Sequence, residues 1–410
     1  MTLLIEKLVT QSRFRQVQKT MKKRTLTLSP SETVTTNGWT SVRWALAGYE
    51  TPGFTLSHAV PDEHAALLVS PEQGDHALVA VLIWAMQHCA EIRVEGCVSP
   101  TLLKGLETVQ QIWRRWRPKL YTPVDIVPDE ESEANPLPGE RSGLFAFSGG
   151  VDATFTFFRH FTDAAGRNTC KPGAALLVHG MDIPIDREDF FADAAMRAER
   201  MLTGTCIPLI RQRTNSRALR MDWEDSFGLQ LLSCFLALQP GFSFGIKGSE
   251  EPFESLAIPW GSSPLTDPHC STAMIQMVHD GCSFDRTEKV DWLHKNTPIT
   301  NDLRVCWAGA NLGRNCGECE KCLRTMLNFW AKGNPIPSAF PKPLLPESIS
   351  RIAISNAPQL AEFQSVYLHA QRQHDRSDPI LKALKQLLFR TKLRIQMKKV
   401  SAFSRQIARI

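Results

Sequence analysis

One short segment limits the possible folds of this 410-residue chain more than any other part of it. The apolar run LFAF, residues 144–147, is interrupted by Ser148-Gly149-Gly150, and an amphipathic run, FTFFRHF, follows soon after Asp152. A buried strand that ends in Ser-Gly-Gly and continues as a helix is typical of a loop whose backbone N–H groups bind an anion at a helix N-terminus. We therefore predict a phosphate-binding loop between a strand and a helix.

Strand-like and helix-like segments alternate after this loop: AALLVHG and CIPLI have strand patterns, and EDFFADAAMRAERML and WEDSFGLQLLSCFLALQ have helix patterns. This alternation predicts an α/β fold with a parallel sheet covered on both faces. Before the loop, the acidic, proline-rich segment VPDEESEANPLPGERSG is typical of a linker. We therefore predict three regions: an N-terminal accessory α+β domain over residues 1–135, a catalytic domain over residues 143–330, and a C-terminal helical extension with a basic tail over residues 331–410.

Four cysteines near the end of the predicted catalytic domain have the spacing of a metal site. In CWAGANLGRNCGECEKC, Cys306, Cys316, Cys319 and Cys322 follow the pattern C-x9-C-x2-C-x2-C. Four thiolates suit a closed, tetrahedral Zn²⁺ site, so we predict structural zinc, with an iron–sulfur cluster as the alternative. The other seven cysteines have no ligand spacing, and we interpret them as core or incidental residues: Cys89, Cys97, Cys170, Cys206, Cys234, Cys270 and Cys282.

Composition and charge indicate where the chain works and what it contacts. No run of about 20 apolar residues is present to span a bilayer, and the first residues lack the order of a signal peptide. Because clustered thiols without an export signal are typical of a reducing compartment, we expect a cytoplasmic protein. The net charge is +5, but residues 382–410 hold nine Lys or Arg and no Asp or Glu, which leaves the rest of the chain at −4. This tail predicts a basic amphipathic helix that either packs on its own domain or binds nucleic acid, an acidic protein or a membrane surface.

The loop sequence SGGVDAT resembles the S-G-G-x-D-S loop of the PP-loop ATP pyrophosphatases, enzymes of the adenine nucleotide alpha hydrolase fold that split ATP into AMP and pyrophosphate. Ala153 stands where that family has its second serine, and Thr154 follows. Together with the C-G-x-C-x-x-C cluster, the loop makes residues 143–330 similar to 7-cyano-7-deazaguanine synthase, of which this chain would be an enlarged relative. Such relatives occur in anti-phage operons and in specialised biosynthetic clusters.

The resemblance implies a Rossmann-like parallel sheet, a requirement for ATP and Mg²⁺, and a ligase reaction. In that reaction ATP adenylates the carboxylate of 7-carboxy-7-deazaguanine or a related base. Ammonia or an amine then displaces AMP to give an amide, which a second ATP can convert to a nitrile.

The predicted site residues lie in the loop and near the ends of the neighbouring strands. Gly149 and Gly150 let the backbone approach phosphates, the Ser148 hydroxyl can donate a hydrogen bond, and Asp152 is expected to help position Mg²⁺. We predict Ser148, Asp152 and Lys247 as catalytic residues. The predicted ATP-binding residues are Ser148, Gly149, Gly150, Val151, Asp152, Thr154, Val178, His179, Gly180 and Arg213. The predicted substrate-binding residues, in the Gly-, Ser- and Pro-rich segment 245–272, are Glu250, Trp260, Asp267 and His269, because a carboxylate can pair with a guanine-like base and a tryptophan can stack on it.

Two other functions stay open from the residues alone. PP-loop enzymes also include tRNA thiolases, and the basic tail is compatible with an RNA substrate; a permanently bound metal at the cysteines would count against sulfur transfer. The second alternative is a catalytically silent scaffold that binds nucleotide and recruits a protein partner through its N-terminal domain, with Ala153 as the feature in its favour.

Overall fold

The computed structural model describes the backbone of residues 24–48, 53–133 and 142–407, with side chains up to residue 397. The strands in these ranges are β1 Thr25–Thr36, β2 Trp39–Gly48, β3 Phe54–Pro61, β4 Glu91–Val98, β5 Asp125–Glu131, β6 Gly143–Ala146, β7 Pro172–His179, β8 Leu209–Thr214, β9 Phe244–Gly248 and β10 Gln276–Asp280. The α-helices are α1 Asp75–His88, α2 Pro100–Trp116, α3 Val151–Phe161, α4 Glu188–Leu202, α5 Trp223–Leu236, α6 Arg286–Asn296, α7 Glu320–Ala331, α8 Pro346–Ser350, α9 Ala357–Gln373 and α10 Pro379–Ile407.

All ten strands belong to one sheet, in the order β10-β9-β6-β7-β8-β3-β2-β1-β4-β5. The five strands from β10 to β8 are parallel to one another, which confirms the predicted α/β class with a parallel sheet and is compatible with a Rossmann-like fold. The chain runs outward from β6 through β7 to β8 and then returns to β9 on the other side of β6. In open α/β sheets this reversal of direction opens a crevice at the carboxyl ends of the strands, and that crevice is where ligands bind.

The N-terminal residues extend this sheet. β3 pairs with β8 in antiparallel register, His58 opposite Thr214 and Ala59 opposite Arg213. Because β1, β2 and β3 are also antiparallel, the complete sheet is mixed, and only β4 and β5 restore parallel pairing at its far edge. The first residues of the segment predicted as a linker form the edge strand β5, where Pro128 is tolerated because an edge strand needs fewer ladder hydrogen bonds. Residues 134–141 of that segment, and residues 1–23, lie outside the described residues.

Two apolar cores cover the two faces of the sheet. On β6, Leu144 belongs to one core and its neighbour Phe145 to the other, because successive side chains of a strand point to opposite faces of the sheet. The first core holds α1, which is buried along nearly its whole length and packs on α5, so N-terminal and central residues share it. The second core holds α3, α4, α6 and α7 together with the C-terminal helices.

The basic C-terminal helix α10 has two different halves. Its first half packs on the protein, with Leu381, Leu384 and Leu387 buried. Beyond these residues it exposes apolar side chains, with Phe389 70% and Met397 58% exposed. No helix in the described ranges is long and apolar enough to cross a membrane.

Candidate functional site

A cleft of about 330 Å³ opens at the carboxyl ends of β6, β7 and β9, where the sheet reverses direction. Seven of the predicted site residues line it: Ser148, Gly150, Asp152, Val178, Lys247, Glu250 and Trp260. Helices α5, α6, α7 and α9 complete its walls. The predicted loop and the predicted substrate segment therefore face one common space.

The Ser-Gly-Gly loop connects β6 to α3 and has its carbonyl groups occupied. Gly149 has φ +74°, a left-handed conformation that favours glycine, and Gly150 is the residue just before α3. The backbone N–H of Arg304 donates to the Gly149 carbonyl at 2.8 Å, and Arg304 Nε donates to the Ser148 carbonyl at 3.3 Å. The first N–H groups of a helix have no partner inside it, so the start of α3 offers donors to an anion in the cleft.

Asp152, in the first turn of α3, is shared by two cations. Arg286 Nη1 lies 2.7 Å from one carboxylate oxygen and Lys289 Nζ lies 3.4 Å from the other. Burial alone would raise the pKa of Asp152, but the charges of Arg286, Lys289, Lys321 and Lys247 hold it below its ordinary value. Asp152 is therefore an ionised carboxylate that holds cations in place, and both of its oxygens are engaged.

Lys247 lies on β9 and is almost completely buried. Its ammonium group donates to both carboxylate oxygens of Glu250, at 2.9 and 3.0 Å, and to the Gly248 carbonyl at 3.0 Å. The ring of Phe227 lies 5.5 Å from the same nitrogen. Glu250, predicted as a substrate ligand, thus neutralises Lys247 at the cleft wall.

One wall of the cleft is aromatic and acidic. Trp260 packs edge-on against Phe227, with ring centroids 5.7 Å apart, and its indole N–H is buried without a hydrogen-bond partner among the described residues. Glu251, Glu320 and Glu362 also line the cleft, with Arg324 between the last two. Side chains that accept hydrogen bonds and a ring that can stack therefore face the same space.

Four predicted ATP ligands have structural tasks away from the cleft. His179 stacks on Phe191 at 4.3 Å and bonds the Pro184 carbonyl through Nε2 at 2.8 Å. Gly180 has φ +98°, and a Cβ there would lie 1.8 Å from the Thr214 carbonyl oxygen, so it serves a tight turn. Thr154 is fully buried inside α3. The Arg213 guanidinium pairs with Glu188 at 2.5 Å and stacks on the Trp39 ring at 3.7 Å, so the N-terminal strands draw it away from the cleft.

Two predicted substrate ligands also lie elsewhere. Asp267 is fully buried, and its carboxylate bonds His279 Nδ1 at 2.7 Å and Ser262 Oγ at 2.5 Å. The pKa of His279 is raised to about 9, because the charge of Asp267 and its hydrogen bond outweigh burial, which alone would lower it. His269 is exposed, and its carbonyl lies against Gly105 of α2. The hydrogen bonds of Asp267 to His279 and Ser262 therefore hold the segment after β9 in place. Neither Asp267 nor His269 lines the cleft.

The four predicted metal ligands come together. All four sulfur atoms of Cys306, Cys316, Cys319 and Cys322 lie within 4.8 Å of one another. Cys306 Sγ is 3.7 Å from Cys319 Sγ, and Cys316 Sγ is 3.9 Å from Cys322 Sγ. Tetrahedral Zn–S bonds of about 2.3 Å place sulfur atoms about 3.8 Å apart, so the cluster fits one shared ion. A [4Fe–4S] cluster binds each thiolate through a different iron and needs wider spacing.

Several charged residues that line the cleft were not predicted from the sequence, among them Arg286, Arg304 and Glu362. One signal was available for the first, because DRTEK has the D-x-x-E pattern of a capping box, and Asp285 and Glu288 form that box at the start of α6. A helix that begins there places Arg286 and Lys289 three residues apart on one face. Nothing local marks Arg304 or Glu362, because each reaches the cleft only through tertiary packing.

Comparisons with models of protein families, with curated proteins and with solved structures find no match for this chain.

Proposed function

We propose that this protein is an ATP-dependent ligase that activates a carboxylate by adenylation, releases pyrophosphate and AMP, and joins the acyl group to ammonia or an amine. The carboxylate we propose is that of 7-carboxy-7-deazaguanine or a related base, with an amide or nitrile as product. The observation that carries the proposal is the Ser-Gly-Gly loop at the reversal point of the sheet, with cationic side chains around it. A pathway in anti-phage defence or specialised biosynthesis follows from the sequence resemblance alone.

The residues around the loop suit a leaving pyrophosphate. The N–H groups at the start of α3 and the Ser148 hydroxyl are donors for phosphate oxygens, and Arg304 keeps the loop carbonyls occupied. Arg286 and Lys247 line the same space with Lys321, and their positive charges would stabilise the negative charge that develops as the phosphoryl bond breaks. Asp152 orients Arg286 for this task.

The base would lie against the aromatic wall. Trp260 and Phe227 offer faces and edges to a planar ring, and the free indole N–H of Trp260 can donate to a carbonyl or carboxylate oxygen. Val178, at the end of β7, lines the cleft where backbone groups can meet an adenine edge.

The proposal includes two metal ions with different roles, zinc and Mg²⁺. Zinc would be held by the four cysteines as a structural ion, which suits the single-ion geometry and leaves no free thiol pair for sulfur transfer. Mg²⁺ would enter with the nucleotide as MgATP. We assign it no protein ligand, because both oxygens of Asp152 already contact cations and Glu250 is paired with Lys247.

Product analysis tests the proposal. The full-length protein is incubated with ATP, Mg²⁺, ammonium and 7-carboxy-7-deazaguanine, and mass spectrometry follows AMP and the amide or nitrile. The variant Ser148→Ala/Lys321→Ala should lose activity by about 100-fold or more, as is typical when transition-state charge stabilisation is removed. The control Lys295→Ala, at an exposed position on α6, should keep it. No AMP from the wild-type protein, or equal activity in the double variant, would contradict the proposal.

A further inference from the structure

The acidic wall of the cleft is built from three parts of the chain. Glu251 follows β9, Glu320 and Arg324 lie on α7, and Glu362 lies on α9, within the predicted C-terminal extension. Arg324 Nε lies 2.9 Å from Glu320, and its Nη1 contacts Glu362. The three side chains of this ion-pair chain are 12%, 8% and 9% exposed, so the wall is largely shielded from water.

This wall has more buried acceptors than donors. Glu251 Oε2, Glu362 Oε2 and Glu320 Oε2 are buried without a hydrogen-bond partner among the described residues, and Glu320 Oε1 has Arg324 Nε 2.9 Å away as its ion-pair contact. Arg324 lies between Glu320 and Glu362, and Arg286 is ion-paired with Asp152. Because an unpaired buried carboxylate oxygen is costly, the geometry calls for a ligand that brings N–H donors and positive charge.

Electrostatics at the wall agree with this geometry. Burial, together with the charges of Glu362 and Glu250, raises the pKa of Glu251 to about 8, against the lowering effects of Ser255 and Arg324. A cation bound here would replace the repulsion among these carboxylates with attraction.

We infer that the acidic wall is the binding site for the amine acceptor, which enters as an ammonium ion and loses a proton to Glu251. This inference rests on the proposed function. The deprotonated nitrogen forms a bond to the acyl carbon of the adenylate, and the bond from that carbon to the phosphate oxygen breaks. AMP leaves with the electron pair, and the second nitrogen proton passes to a neighbouring carboxylate or to water. The C-terminal extension thereby supplies part of the acceptor site through Glu362.

Measuring the binding of an ammonium compound tests the acidic wall without requiring the enzymatic reaction. Saturation-transfer NMR measures the affinity of benzylammonium, and of its neutral counterpart benzyl alcohol, for the full-length protein without ATP. The variants Glu251→Gln and Glu362→Gln keep the side-chain shape and remove the ionisable carboxyl group, and Glu347→Gln on α8 is the exposed control. Benzylammonium should bind about tenfold more weakly to each of the two cleft variants and unchanged to the control, while benzyl alcohol should bind poorly to all.

The reaction separates this inference from the proposed function. In both cleft variants the KM for ammonium should rise while the KM for ATP stays constant. Equal binding of benzyl alcohol and benzylammonium, or unchanged benzylammonium binding in both cleft variants, would overturn the inference whether or not AMP forms. Selective benzylammonium binding with no AMP formation would overturn only the proposed carboxylate activation and leave the ammonium site standing. Thermal unfolding checks that each variant is folded.

Discussion

Replacing Asp152 with asparagine removes the negative charge from a buried group of three ionised side chains at the cleft. Arg286 and Lys289, which share this carboxylate, are only 4% and 1% exposed at their side chains. The substitution keeps the size of the side chain but leaves two buried cations close together. Lys289 retains the Ser249 carbonyl as an acceptor, whereas Arg286 loses its charged partner. Breaking a buried ion pair from one side costs about 3–5 kcal/mol, and we expect a loss in that range.

Urea unfolding followed by tryptophan fluorescence measures this loss as a change in the free energy of unfolding. The matched control is Asp189→Asn, because Asp189 also pairs with an arginine, Arg187 at 2.9 Å, but at an exposed position. We expect the control to lose far less stability than Asp152→Asn, because solvent screens exposed ion pairs. Equal losses in the two variants would refute the argument that burial decides the cost.

The pH dependence of the free energy of unfolding is a second test of the contribution of the Asp152 charge. The folded-state pKa of Asp152 lies below its ordinary value of 3.8, so its ionised form favours the folded protein. That contribution is fully present above pH 3.8 and is lost as pH falls through the lower folded-state pKa. The difference in stability between wild type and Asp152→Asn should therefore be constant near neutral pH and shrink in acid. A difference that grows on acidification would contradict this assignment.

Three further predictions concern other parts of the molecule. Metal analysis should find one zinc per chain, and Cys319→Ser should lower both zinc content and the unfolding temperature; an iron content with visible absorbance would contradict this. The pKa of Asp280 is lowered to about 2, since its hydrogen bonds to His160 and Arg159 outweigh burial, which raises it. Its contribution should fade between pH 3.8 and about 2, and acid titration of Asp280→Asn should show no such phase. Gly105→Ala should destabilise the protein by about 1–3 kcal/mol in urea unfolding, because the new Cβ would lie 1.8 Å from the His269 carbonyl oxygen. A variant as stable as the wild-type protein would show that α2 can shift to make room for the Cβ.

Features of this chain that depend on neighbouring residues were predictable from the sequence, and contacts between distant segments were not. The strand, loop and helix around Ser148 were predictable because glycine freedom, apolar alternation and helix periodicity are local properties of the chain. The cysteine cluster was predictable for the same reason, since three of its four ligands lie within seven residues. The surroundings of Arg213 were not predictable in this way, because β3 supplies a partner strand and Trp39 supplies a ring from a distant part of the chain.

By itself, the sequence determined the parallel α/β core, the Ser-Gly-Gly loop at its centre and the four-thiolate cluster, because each depends on spacing along a short segment. Only the tertiary structure decided which charges meet in the cleft. Arg286 reaches Asp152 across 134 residues, and Glu362 reaches Arg324 from a helix beyond the predicted catalytic domain. Such partners are selected by how helices pack on the sheet, since ion pairs act over a few ångströms in space and carry no signature along the chain.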